Sequence, residues 1–177
     1  MYKRSFYVIS AALLMVSFGV TGMAENLSTK SNSTMQLTVF TDPNVAKTIT
    51  AIDIPPAGKS LGDAYYFNGT LRSTNATDGP IIGELFGSTT TVRMSPTKST
   101  GQEQRLAYLI FTFNNRTDQI IVGSVSDYPV QENTLEKNES VVRPILGGTG
   151  KYIGVRGQEV STRNADDSYT HVFTMLR

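Results

Sequence analysis

One histidine, His171, and no cysteine limit the side-chain chemistry open to this 177-residue chain. Without Cys there are no disulfides, thiol nucleophiles, iron–sulfur clusters or thiolate-bound zinc. One imidazole among scattered carboxylates makes no metal site. A nucleophilic relay needs a positioned serine and an acid beside that His, and His171 alone does not make one. His171 therefore reads first as a hydrogen-bonded wall residue in an otherwise apolar strand. Asp42, Asp53, Glu84 and Glu159 read as solvated carboxylates near strand ends, and Asp63, following Gly62, reads as a residue that ties down a turn.

Gly147-Gly148-Thr149-Gly150-Lys151 carries the ingredients of a phosphate loop, backbone N–H groups beside a cation. The spacing fails, because that loop needs glycine where Ile145 stands and Ser or Thr where Tyr152 stands. The dinucleotide fingerprint fails too: Gly148 and Gly150 are followed by Gly154 instead of a glycine at 153, and no helical pattern follows. The cluster reads as a tight hairpin turn with positive-φ glycines, and Gly154 and Gly157 as bends in the next strand.

The elements that hold these residues are strands. Met35, Leu37 and Val39 alternate with polar residues, the period of a half-buried strand. Eight further segments follow: 48–54, 64–71, 81–94, 105–113, 119–125, 141–146, 152–161 and 168–176. Turn chemistry separates them, as at Pro55-Pro56-Ala57-Gly58, Asn114-Asn115 and Gly147 to Gly150. No long stretch keeps a helical period, so the chain reads as an all-β single domain, a sandwich or a closed barrel.

Composition narrows the partners. Sixteen Lys and Arg against fifteen Asp and Glu leave a net charge of +1, too little to collect nucleic acid. Lys3 and Arg4 precede an apolar run from Phe6 to Val20, and Gly22-Met23-Ala24 supplies small residues for a signal peptidase. The run is shorter than the ~20 residues that span a bilayer. We expect residues 1–24 to be a cleaved signal peptide, 25–34 a mobile spacer and 35–177 the domain. The product would be secreted or periplasmic and, once the leader is gone, not held in a membrane. Six Asn-x-Ser/Thr triplets matter only in a pathway that glycosylates.

The segment from Val141 to Gly157, with its Gly-Gly-Thr-Gly turn, aromatic Tyr152 and Arg156-Gly157, resembles the segment shared by dirigent proteins and allene oxide cyclase-like barrels. Leu61-Gly62-Asp63-Ala64-Tyr65-Tyr66-Phe67 is similar to the Gly-Asp strand entry of the cyclase barrels, and Ile82-Gly83 to the start of their next long strand. Phe111-Thr112-Phe113 with Ile120 to Gly123 is similar to the hairpin before the glycine turn. The resemblance covers most of residues 35–176. It implies an eight-stranded antiparallel up-and-down β-barrel with a largely apolar cavity, a homotrimer, and no metal or organic cofactor. The cyclase's own groups are not matched: its catalytic Glu falls on Thr41, two water-holding Asn on Pro43 and Gly69, its Cys on Thr89 and its Tyr on Val125. Dirigent proteins need less chemistry, steering radicals made by a separate oxidase.

Three functions stay open: a dirigent-like barrel that binds or steers an apolar or aromatic small molecule, a cofactor-free isomerase or cyclase acting by substrate confinement, and a structural or surface-interaction barrel with a filled interior. For the first two, side-chain alternation assigns the cavity face. Tyr169, His171, Phe173 and Met175 are the larger and more varied face of the last strand, so we expect them inward, with Tyr108 and Ile110 inward on the central strand. Tyr66, Asn68 and Arg156 complete the cavity candidates. The alternate lumen set is Ala107, Leu109, Phe111, Val172 and Thr174.

Overall fold

The computed structural model describes residues 33–43, 48–95, 102–130 and 132–176. The expected signal peptide and nearly all of the expected spacer lie outside the described residues. Nine strands are described: β1 (Thr34–Thr41), β2 (Thr50–Ile52), β3 (Ala64–Arg72), β4 (Ile81–Ser95), β5 (Gln102–Phe113), β6 (Asp118–Pro129), β7 (Ser140–Thr149), β8 (Arg156–Arg163) and β9 (Tyr169–Leu176). All pair antiparallel in the order β1-β9-β8-β7-β6-β5-β4-β3, and β1 returns to β3, which closes an eight-stranded barrel. The short β2 is an extra strand on the same edge of β3.

Closure is thin at that edge. β1 meets β3 only at Phe40–Arg72 and Thr41–Leu71, while β2 takes the stretch from Ala64 to Tyr66. Between them Thr48 bridges, its hydroxyl donating to the Asn68 carbonyl at 2.6 Å. By contrast, β5 pairs with β4 along its whole length, from Gln102 to Phe113, with one register shift near Thr91.

The inward faces follow the two-residue period. Leu109, Phe111 and Phe113 of β5, Ile120 and Val122 of β6, Ile145 of β7 and Phe173 and Met175 of β9 fill one part of the interior. Phe111 sits edge-on to Phe173, with ring centres 4.8 Å apart, and edge-on to His171 at 4.9 Å. Tyr152 and Val155, from the turn after β7, join this apolar cluster.

That turn differs from the expected hairpin. Gly147, Gly148 and Thr149 continue β7, and the chain reverses over residues 150–155 through a 3-10 turn at Gly150–Tyr152. The left-handed glycines are Gly150 (φ +57°) and Gly154 (φ +75°), so Gly154 belongs to the turn and β8 begins only at Arg156. Asp118 holds the reversal by accepting from the Lys151 N–H at 3.1 Å, and a Cβ on Gly150 would collide with that carboxylate.

Among the described residues no helix is long and apolar enough to cross a membrane, and no group of three or more His, Asp or Glu could hold a metal.

Candidate functional site: the polar end of the lumen

Toward the start of β5 the inward positions change character. Arg105 and Glu103 continue the face of Phe111 and Leu109, and both are fully buried. They form an ion pair, with Arg105 Nε donating to Glu103 at 2.8 Å and the Thr91 hydroxyl capping the other carboxylate oxygen at 2.8 Å. The guanidinium lies between the Tyr65 and Tyr128 rings, 3.9 and 4.5 Å from their centres. Its remaining N–H groups donate to the carbonyls of Glu132 and Asn133, each at 2.9 Å. A buried cation thus pins the segment between β6 and β7 across the barrel end. Arg163 of β8 pins it again, donating to the Leu135 carbonyl and the Glu132 carboxylate at 2.5 Å. Leu135, held this way, is buried as deeply as a core residue.

A second cluster joins β7, β8 and β9. Glu159, expected at a solvated strand end, is completely buried. It faces inward because β8 alternates Gln158 out and Glu159 in. His171 Nδ1 lies 2.9 Å from its carboxylate, the Ser161 hydroxyl donates to it, and Arg143 Nη1 lies at 3.4 Å. Burial pushes the Glu159 carboxyl up, but the His171 hydrogen bond, the His171 and Arg143 charges and the Ser161 hydroxyl outweigh it and hold the group below its ordinary range. An ionised carboxylate only accepts, so His171 carries its proton on Nδ1. Ser161 Oγ also lies 2.9 Å from that same nitrogen. In a hydrolase relay the serine meets Nε2 and the acid meets Nδ1; here both share Nδ1, so Ser161 is not placed as a nucleophile.

Between these clusters is a cavity of about 50 Å³. Phe67, Leu85 and Leu109 give it an apolar wall, Arg143, Ser161 and Thr89 a polar one, and Tyr128 and Tyr169 flank it. Ile49, Asn133, Thr134 and Leu135 also line it. Lys59 ties another loop to this end, donating to Tyr65 Oη at 2.7 Å and Asn133 Oδ1 at 2.9 Å. Burial pushes the Tyr169 phenol up to about 12, with Arg163 pulling the other way, so it stays protonated.

The expected cavity residues separate into two groups. Tyr169, His171, Phe173 and Met175 lie along the inner wall of β9, although only Tyr169 lines this cavity. Tyr108 and Ile110 point outward, and on β5 the lumen belongs to Ala107, Leu109 and Phe111 of the alternate set. Val172 and Thr174, the β9 part of that set, alternate with the inward residues. Tyr66, Asn68, Tyr108 and Ile110 instead meet in an open groove of about 370 Å³ on the outer surface, beside Phe86. Arg156 is exposed at the start of β8. Asp63 does tie a turn, accepting from the N–H groups of Ile54 at 3.0 Å and Ser60 at 2.9 Å. Sequence reasoning missed Glu103, Arg105, Arg143 and Arg163 as lumen residues. Glu103, Arg105 and Arg143 share the two-residue period of an apolar strand face, whereas Arg163 follows Glu159 and Ser161 on the polar inner face of β8.

No family model matches the chain, and no curated protein matches it. Solved structures do share the fold. A pyocyanin demethylase superposes with a TM-score of 0.57 at 20% identity, covering 81% of this chain and 99% of its own. A pterocarpan synthase dirigent protein gives 0.57 at 14% identity, covering 95% and 99%. The Diels–Alderase AbmU from Streptomyces koyangensis gives 0.56 at 17% identity, covering 84% and 70%. The chain therefore has the fold of dirigent-like and cyclase-like barrels, as its glycine segment implied.

Proposed function

We propose that this protein binds an apolar or aromatic small molecule at the polar end of its lumen and steers that molecule's reactivity, with little acid–base chemistry of its own. The observation that carries the reading is the internal cavity, where an apolar wall faces a few convergent polar groups, the usual make-up of a small-molecule site. Thr41 and Thr89, which stand where the cyclase resemblance expects Glu and Cys, are both buried inside. Neither hydroxyl is an acid or base at neutral pH, which favours steering over cyclisation. Neighbours in fold bear names of activities on small organic molecules, a demethylase and a Diels–Alderase among them. Export by the N-terminal leader fits such a role outside the cytoplasm.

The second reading is a structural barrel with a filled interior, and the size of the cavity favours it. A ring the size of benzene occupies a cavity of about 150 Å³, three times the space found here. A ring therefore enters only where Leu135 yields. The parent protein separates the two readings, since Leu135→Ala would open an apolar hole that takes a small ring whatever the function. On the binding reading, Leu135 moves aside and toluene or benzoate raises the melting temperature of the parent by several degrees. No shift of the parent with either probe, at any concentration it reaches in water, leaves the filled barrel.

We propose further that copies associate as a trimer through the outer face of β5 to β7. Leu106, Val125 and Leu146 are each more than half exposed there, beside Tyr108. A contiguous apolar face of this kind marks an interaction surface.

A further inference from the structure

Three arginines are buried in the barrel, and they are not equally satisfied. Arg105 uses Nε, Nη1 and Nη2 on Glu103 and two backbone carbonyls, at 2.8 to 2.9 Å for the bonds of normal length. Arg163 uses all three nitrogens on Asp167, Glu132 and the Leu135 carbonyl. Arg143 holds only two contacts, Nη1 to Glu159 and Nη2 to Tyr128 Oη, both at 3.4 Å. Its Nε has no partner although the residue is 2% exposed. Charge-assisted bonds of a guanidinium normally close to about 2.7–2.9 Å. Arg143 is also the one of the three that lines the cavity.

Glu159 does not take up the spare donor: its Oε1 serves His171 and Ser161, and its Oε2 meets Arg143 through Nη1 at 3.4 Å, not through Nε. A second buried atom without a partner, Thr89 Oγ1, lies on another cavity-lining residue. Thr89 is on β4 and Arg143 on β7, with β5 and β6 between them around the wall. One polar group therefore waits on each side of an apolar space, and the one on β7 is a cationic donor with no capacity to accept.

We propose that the lumen ligand carries an anionic oxygen, a carboxylate or phenolate, which accepts from Arg143 while its apolar body lies against Leu85, Leu109 and Tyr169. Thr89 meets a second polar group at the far end of that body. The inference rests on the lumen being the binding site, and it adds the chemical class of what binds there. A fixed guanidinium fork recognises planar oxyanions by geometry as well as charge, so Arg143 sets both the choice of ligand and its orientation.

The test uses three probes of nearly one shape, benzoate, benzamide and toluene. Each is titrated by calorimetry into the parent protein and into Leu135→Ala. The expected result is that benzoate binds about tenfold or more tightly than benzamide, as a charged acceptor on a buried guanidinium should. Arg143→Met removes that preference while toluene still binds; should Arg143→Met not fold, Arg143→Lys keeps the charge and loses the fork, and a reduced preference for benzoate is expected. Equal binding of the three probes to either parent or Leu135→Ala overturns the oxyanion inference and leaves the lumen site standing. Failure of all three probes to bind the parent overturns the lumen site, and the inference falls with it, whatever Leu135→Ala binds.

Discussion

Glu159 shows how far residue type alone misleads in this chain. A carboxylate in a strand of a near-neutral protein is ordinarily solvated, yet this one is fully enclosed and shared among three side chains. Its hold on the proton is weakened in the folded state, so the folded protein binds fewer protons at this site than the unfolded chain. The stabilisation is complete above the ordinary carboxyl value near 4.5 and is lost as pH falls through the lower folded value. We expect the urea midpoint of the parent to drop more steeply below about pH 4.5 than that of Glu159→Gln. Parallel acid profiles for the two proteins would place the acid sensitivity elsewhere, for instance at Asp63, whose carboxyl is also held low despite its burial by the N–H groups of Ser60 and Ile54. His171 was legible as a hydrogen-bonded wall residue. Its partners were not, because they sit on a neighbouring strand whose register no single sequence reveals.

At the scale of the strand, the alternation that makes β-structure readable also produced reversed faces, on β3 at Tyr66 and Asn68 and on β5 at Tyr108 and Ile110. All nine strands were legible as segments, and the turns after β2, β3 and β5 from their Pro, Gly and Asn chemistry, whereas the reversal after β7 falls later than the Gly147 to Gly150 cluster suggested. In β5, both faces of the stretch from Leu106 to Phe113 are apolar, so hydrophobicity does not choose between them. Extending the face of Ala107 and Leu109 backward meets Arg105 and Glu103, which ordinary patterning would place in solvent. The buried ion pair inverts that rule, and Tyr108 and Ile110 go outside. The weak element is the seam. With only two residue pairs joining β1 to β3, the amide of Leu71 and the neighbouring seam amides should exchange hydrogen faster than those at the centre of the β4–β5 ladder, such as Leu109 and Phe111. Equal protection across the two ladders would mean that the barrel opens only by global unfolding.

For the whole molecule, the interior divides by chemistry. An apolar cluster around Phe111, Phe173 and Met175 fixes the fold, and a polar end built on Arg105, Arg143 and Glu159 shapes the cavity. The barrel class was legible from strand count and the glycine segment; the size of the cavity was not, since Leu135 closes it from a loop whose path follows buried cations that sequence patterning places outside. The outer face of β5 to β7 carries its own prediction. Sedimentation of the mature protein should give a trimer, and Leu106→Glu should shift it to monomer without lowering the fold's cooperativity; a parent that sediments as a monomer at micromolar concentration contradicts that assembly.

The claim at the centre of the account is that small molecules bind inside the barrel at its polar end. Leucine methyl resonances test it most directly, because Leu85, Leu109 and Leu135 line the cavity while Leu106 and Leu146 stand on the outer surface. On titration of the parent protein with benzoate, we predict shifts confined to the methyls of Leu85, Leu109 and Leu135. Shifts at Leu106 and Leu146 with the inner three unmoved, or no shifts at all, would contradict a ligand site in the lumen.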